Sequence, residues 1–216
     1  GNGKSFRPEY YEGYEIDQFA DDIYKILKKE GIGKIIFISH CFGNLVSIRF
    51  FIKHKQMVEG IVFISSYANQ SERRILKSVF PRIFPPKVLS KFPSIRKKGY
   101  GVDYKKHIPA EDIDIKRMGE DILNTGFKPF LFILNRIFES DLSEDIKQID
   151  VPVFIIHGNR DIITPLKSAL HFKELIKGSK IKIIDSANHL LVLNNPKEIT
   201  YYLKNFLDSI KISPQI

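Results

Sequence analysis

Four short apolar runs constrain this chain more than any other feature: "KIIFIS" at 34–39, "GIVFISS" at 60–66, "VPVFIIHG" at 151–158 and "KIKIID" at 180–185. They are rich in β-branched and aromatic residues, and the first three are apolar almost throughout. Each therefore reads as a strand buried on both faces. Helical patterns fall between and around them. Ile16, Phe19, Ala20, Ile23, Ile26 and Leu27 share one helical face, with Gly31 as the stop. Further helices are expected from Gly43 to about His54 and from about Leu166 to Ile176. The last stripe is Ile199, Tyr202, Leu203, Phe206, Leu207 and Ile210. Short buried strands alternating with helices predict an α/β fold, a mostly parallel sheet flanked by helices.

The alternation breaks between the second and third strands. Residues 67–146 carry Pro81, Pro85, Pro86 and Pro93, many cations, and helical patterns near 112–124 and 128–139. This stretch reads as an inserted, mainly helical cap, with residues 1–66 and 147–216 forming the sheet-bearing core. The charge follows the same division. Residues 71–117 hold 13 Lys or Arg against 5 Asp or Glu, while the remainder is close to neutral. Three readings fit that charge: a solvated surface, contact with a membrane surface, or nucleic-acid binding. No recognised nucleic-acid module accompanies it, so no nucleic acid is expected. "RRILKSVFPRIFPPKVLSKF" interleaves cations with Ile, Leu, Val and Phe as interfacial segments do, although its prolines exclude one continuous amphipathic helix.

No apolar run reaches the roughly 18–20 residues that cross a bilayer, and the amino end carries no secretory pattern. The single cysteine forms no internal disulfide, which points to a reducing cytoplasm, and the basic cap to peripheral membrane contact. His40 and Cys41 are adjacent without further ligands at useful spacing, so no metal site is expected.

That cysteine sits where the first strand stops and the next helix begins. Sites in parallel sheets form at the carboxyl ends of strands. A nucleophile at a strand-to-helix turn projects into that crevice, beside a helix amino terminus that stabilises negative charge. Ser39-His40-Cys41-Phe42-Gly43 places small residues two before and two after the apex. This pattern resembles the nucleophile elbow of the α/β-hydrolase family, with Cys in the nucleophile position and Ser for the first Gly. "VPVFIIHGNRDIITP" resembles that family's strand followed by His-Gly-x-x-Asp, and "SANHLLVLNNPKEI" its last-strand loop. The order nucleophile, acid, base is preserved, Asp161 lying 120 residues after Cys41 and 28 before His189.

The resemblance implies a Cys41-Asp161-His189 triad, in which His189 is the base and Asp161 holds its imidazole. Thiolate, not thiol, attacks a carbonyl, and His189 with the helix amino terminus would favour it. The Phe42 N–H would be one oxyanion donor, typically worth about 3 kcal/mol. Ser39, His40 and Gly43 would shape the elbow, and His157 would be a structural companion of the acid loop. Asp161 also suits a turn before Thr164-Pro165, where Asp is favoured regardless of catalysis. The opening "GNGKSFRPE" resembles a family segment that lies after the fourth strand. The first strands and the loop giving the second oxyanion donor are then expected upstream, and this chain alone would have little activity. The implied function is hydrolysis of a carboxylic ester or thioester, a small-molecule acyl substrate, with no cofactor. An acyltransferase and a non-catalytic member that binds lipid or a partner are the alternatives.

Overall fold

A computed structural model describes residues 3–68, 74–92 and 101–210, with the side chains of 74–78 excepted. Each apolar run becomes a strand: β1 Ile35–His40, β2 Val58–Ile64, β3 Val153–Gly158 and β4 Lys180–Ile184. All three pairings are parallel, in the spatial order β1-β2-β3-β4. Ten helices accompany them among the described residues. They are α1 Ile16–Lys29, α2 Phe42–His54, α3 Arg74–Ile83, α4 Pro86–Leu89, α5 Ile115–Thr125, α6 Phe127–Glu139, α7 Ser143–Ile146, α8 Leu166–Leu175, α9 Leu191–Asn194 and α10 Pro196–Ser209. The α/β fold with a parallel sheet flanked by helices is the one the alternation predicts.

The chain divides into two compact units. The sheet unit comprises Ala20–Ala68, Pro109–Asp112 and Leu142–Ile216. Side-chain alternation splits its sheet into two covered faces. Val62, Ile64, Ile156 and Ile184 meet Leu191 of α9 and Ile199 and Phe206 of α10, with Ile36 and Phe154 packed at the margin. On the opposite face Phe37 meets Phe50 of α2 edge-on at 5.0 Å, and Phe63 meets Phe172 of α8 at 4.9 Å. β1 forms one edge of the described sheet, and Ile38 on it is 49% exposed.

The helical unit comprises Gly1–Phe19, Asn69–Ile108 and Ile113–Asp141. Its centre is Tyr14, Leu89, Leu131 and Phe132, flanked by Phe80, Phe84 and Phe130. Gly126, at φ 96°, separates α5 from α6 in a conformation that favours glycine. Pro81 lies inside α3, and the prolines at 85 and 86 start α4 afresh, so the basic stretch is broken helix. Among this unit's aromatic residues, Phe132 and Phe138 are buried, whereas Phe127 is 47% exposed. Pro93, Arg73, Arg96, Lys97 and Lys98 of the basic stretch lie outside the described residues.

This division shifts the ends of the insertion, since residues 67–68 and 142–146 fall in the sheet unit, and differs from the sequence boundaries in two further places. The first 19 residues group with the helices, because the Arg7 guanidinium donates to the carbonyls of Thr125 (2.7 Å), Asn124 (2.7 Å) and Gly3 (2.9 Å), and Tyr14 joins the Phe132 cluster. Pro109–Asp112, inside the expected insertion, group with the sheet through hydrogen bonds to the loops after β3 and β4. No helix among the described residues is long and apolar enough to cross a membrane.

Candidate active site

Cys41 forms the turn between β1 and α2 with φ 51° and ψ −114°, a conformation that a side chain rarely adopts. The turn is pinned on both sides. Cys41 N donates to Ile64 O at 3.1 Å, and Asn44 N donates to Cys41 O at 3.0 Å. Asn44, fully buried, also sends its Nδ2 to Ile64 O at 2.9 Å, tying the first turn of α2 to the end of β2. Ser39 contacts Ser47 Oγ at 3.0 Å, a polar bridge beneath the elbow. Gly43 comes 3.7 Å from Ser39 Cβ when a Cβ is added to it, which is ordinary contact. Glycine itself is therefore not demanded at 43; smallness of the 39–43 pair is. Phe42 opens α2.

Asp161 follows β3 and is 4% exposed. Its Oδ1 accepts the N–H groups of Ile163 (2.9 Å) and Thr164 (2.7 Å), while Oδ2 accepts Thr164 Oγ1 (2.6 Å) and His189 Nδ1 (2.9 Å). The loop-shaping and histidine-holding roles weighed for Asp161 are thus filled by one carboxylate, Oδ1 serving the loop and Oδ2 both the loop and His189. Burial alone would raise its pKa, but the bonds from His189 and Thr164 outweigh that and hold it down at about 2.

His189 lies in the loop after β4, 7% exposed. Burial disfavours its charged form; the hydrogen bond to Asp161, with the favourable influence of the Cys41 side chain and the Asp161 charge, raises it to about 10. With Nδ1–H directed at Asp161, Nε2 is the nitrogen left for the cysteine. Asp161 and His189, distant in sequence, therefore meet beyond the carboxyl ends of β3 and β4, and Cys41 stands at the carboxyl end of β1. The acid-base pair is a charged one buried in the protein, and the thiol beside it is partly exposed.

The two histidines expected to be structural have defined partners. His157, fully buried, donates Nε2–H to Thr164 O at 2.9 Å and so fastens the acid loop to β3, burial holding its pKa down. His40 donates Nε2–H to the carbonyl of His189 at 2.9 Å, their rings 4.8 Å apart. Burial, then repulsion from His189, lowers His40 to about 4, so it remains a neutral donor while its neighbour carries the proton.

One site residue escapes the motif reading. Asp112 accepts His189 N at 2.7 Å through Oδ1 and Ile162 N at 3.0 Å through Oδ2. Its only trace in the sequence is compositional: "AEDID" interrupts an otherwise basic stretch with three acids.

A family profile described as alpha/beta hydrolase fold matches residues 1–196. Epoxide hydrolase 1 of Caenorhabditis elegans is 22% identical over 96% of this chain and 56% of its own length. Pimeloyl-[acyl-carrier protein] methyl ester esterase of Neisseria meningitidis serogroup A is 23% identical over 80% of this chain and 56% of its own. The chain thus spans about half the length of both relatives. Among solved structures Est816, described as an N-acyl homoserine lactone degrading enzyme, superposes with a TM-score of 0.73 at 20% identity, over 95% of this chain and 79% of that one. At that identity the superposition bears on the fold alone, and the profile match carries the membership. The chain belongs to the alpha/beta hydrolase fold family.

Proposed function

We propose that the protein is a hydrolase of carboxylic esters or thioesters that works through Cys41, His189 and Asp161. The single observation that carries this reading is the buried His189–Asp161 bond of 2.9 Å, in a site where Cys41, at the strained elbow, is among the groups that raise the imidazole. In this mechanism the Cys41 sulfur, its proton held on His189, attacks the substrate carbonyl carbon. A tetrahedral oxyanion forms against the amino end of α2, where the Phe42 N–H is the proposed donor. His189 then protonates the leaving alcohol or thiol, and an acyl-thioester remains on Cys41. Water attacks that thioester as His189 takes its proton; the carboxylic acid leaves and the thiol is restored. Asp161 keeps Nδ1 protonated throughout, which leaves Nε2 to exchange the proton.

The named relatives differ in chemistry, so the ester preference rests on the nucleophile. A thiolate transfers acyl groups readily, and thioester intermediates hydrolyse. The same intermediate is open to amines and thiols, which makes acyl transfer the alternative outcome. In the protein with its upstream strands present, turnover of short-chain p-nitrophenyl esters should be lost, by a factor of about 10³ or more, in Cys41→Ala. Turnover equal to wild type in that variant would overturn the assignment.

A second reading concerns partners. Ile83, Val88, Phe92 and Phe127 are 47–62% exposed and line an apolar groove of about 410 Å³ in the helical unit. Arg82, Lys87 and Lys91 are exposed in the same segment. Cations interleaved with exposed apolar side chains support contact between this unit and an anionic membrane surface.

A further inference from the structure

The triad depends on two loops that follow different strands and that meet directly near their starts, where Arg160 N donates to Ala187 O at 2.9 Å and Ser186 N to Asn159 Oδ1 at 2.8 Å. A second link, beside Asp161 and His189 themselves, comes from Pro109–Asp112, four residues of the sheet unit that the chain supplies between two segments of the helical unit. Ala110, 1% exposed, donates its N–H to Asn194 Oδ1 at 2.7 Å. Its carbonyl accepts the amides of Asn188 (2.7 Å) and Asn194 (2.8 Å). Asn188 Oδ1 in turn accepts Leu190 N at 3.1 Å, so the loop carrying His189 is tied to this segment on both sides of the histidine. Two residues on, the Asp112 carboxylate takes His189 N at 2.7 Å on one oxygen and Ile162 N, next to Asp161, at 3.0 Å on the other.

We infer that Asp112 is a positioning residue of the catalytic site, a carboxylate that sets the spacing of the acid and base loops. The peptide of His189 is held at both ends: Asp112 binds its N–H, while its carbonyl accepts His40 Nε2 at 2.9 Å and Ser65 Oγ at 3.5 Å. From this backbone the imidazole Nδ1 meets Asp161 Oδ2 at 2.9 Å. Two converging N–H groups require two acceptors. A carboxylate provides them, whereas an amide in its place offers one acceptor and turns an NH₂ toward the other donor. Bonds from an ionised acceptor are also stronger than neutral ones, which suits a residue that must hold two loops against their own mobility.

The inference rests on the triad reading, and the test separates the two. Wild type, Asp112→Asn, Asp112→Glu and His189→Ala are compared by far-UV circular dichroism, by amide hydrogen exchange, by the low-field NMR resonance of His189 Nδ1–H, and by iodoacetamide labelling of Cys41 across pH. Asp112→Asn should keep a cooperative fold while amide exchange at 162 and 189 accelerates at least about tenfold and the Nδ1–H resonance broadens or moves upfield. Cys41 labelling at pH 7 should fall several-fold, with partial recovery in Asp112→Glu. A wild-type resonance and labelling profile in Asp112→Asn, with His189→Ala clearly slowed, overturns the inference and leaves the triad standing. Wild-type labelling in His189→Ala removes the triad, and the inference with it. Loss of the folded state in both Asp112 variants assigns the residue to folding and also overturns the inference.

Discussion

Cys41 occupies a strained backbone conformation, and the side chain paired with it is a histidine whose charge is favoured by its surroundings. That charge has a consequence for stability. His189 is raised above the ordinary histidine value to about 10, so its contribution is complete below about pH 6.5 and is lost as pH rises toward 10. Asp161 is depressed to about 2, so its contribution is present above ordinary carboxylate values and is lost as pH falls through about 2. The thermal-stability gap between wild type and His189→Gln should therefore be widest between about pH 4 and 6.5 and narrow steadily toward pH 10. Melting curves at half-unit pH steps measure it. A gap that widens with rising pH would mean that the folded protein holds the imidazole neutral. The strand-end positions of Cys41, Asp161 and His189 were legible because each lies within a local pattern. Asp112 was not, because its partners are 50 and 77 residues away and backbone N–H groups leave no mark on the sequence.

The elements explain why the loops meet where they do. Gly158 ends β3 against the loop after β4, where an added Cβ would fall 2.3 Å from Ala187 O and 2.7 Å from Ala187 C. Both are backbone atoms that no rotamer change can move aside. Gly158→Ala should therefore cost about 1–3 kcal/mol and push the loop carrying His189 away from Asp161, lowering both the urea midpoint and the ester rate. An unchanged midpoint would show that the loop has room to yield. Gly43→Ala is the contrasting case, since its Cβ meets only ordinary contact. Strands and helices were readable because apolar runs and 3.6-residue stripes report local geometry directly. What covers each stripe was not: Ile26 belongs to the apolar face of α1 yet is 60% exposed. Periodicity shows which way a face points, not what it meets.

At the scale of the molecule, the net charge of +9 lies almost wholly within residues 71–117. If this segment contacts anionic lipid, the protein should co-sediment with phosphatidylcholine vesicles that contain phosphatidylglycerol, and poorly with phosphatidylcholine alone. Binding should weaken with salt, as screening shortens from about 10 Å at 0.1 M to about 3 Å at 1 M, and should weaken again in Phe92→Ser. Equal binding to both vesicle types would contradict the charge argument. The exchange of chain between units was the least legible feature. Composition places residues 109–112 inside the insertion, yet their hydrogen bonds belong to the loops after β3 and β4. The triad itself is tested most directly by the rate at which iodoacetamide alkylates Cys41 near pH 7. The rate should fall about tenfold or more when His189 is replaced by Ala, because the imidazolium that stabilises the thiolate is gone. Alkylation at the same rate in both proteins would contradict the pairing of thiol and imidazole on which the mechanism stands.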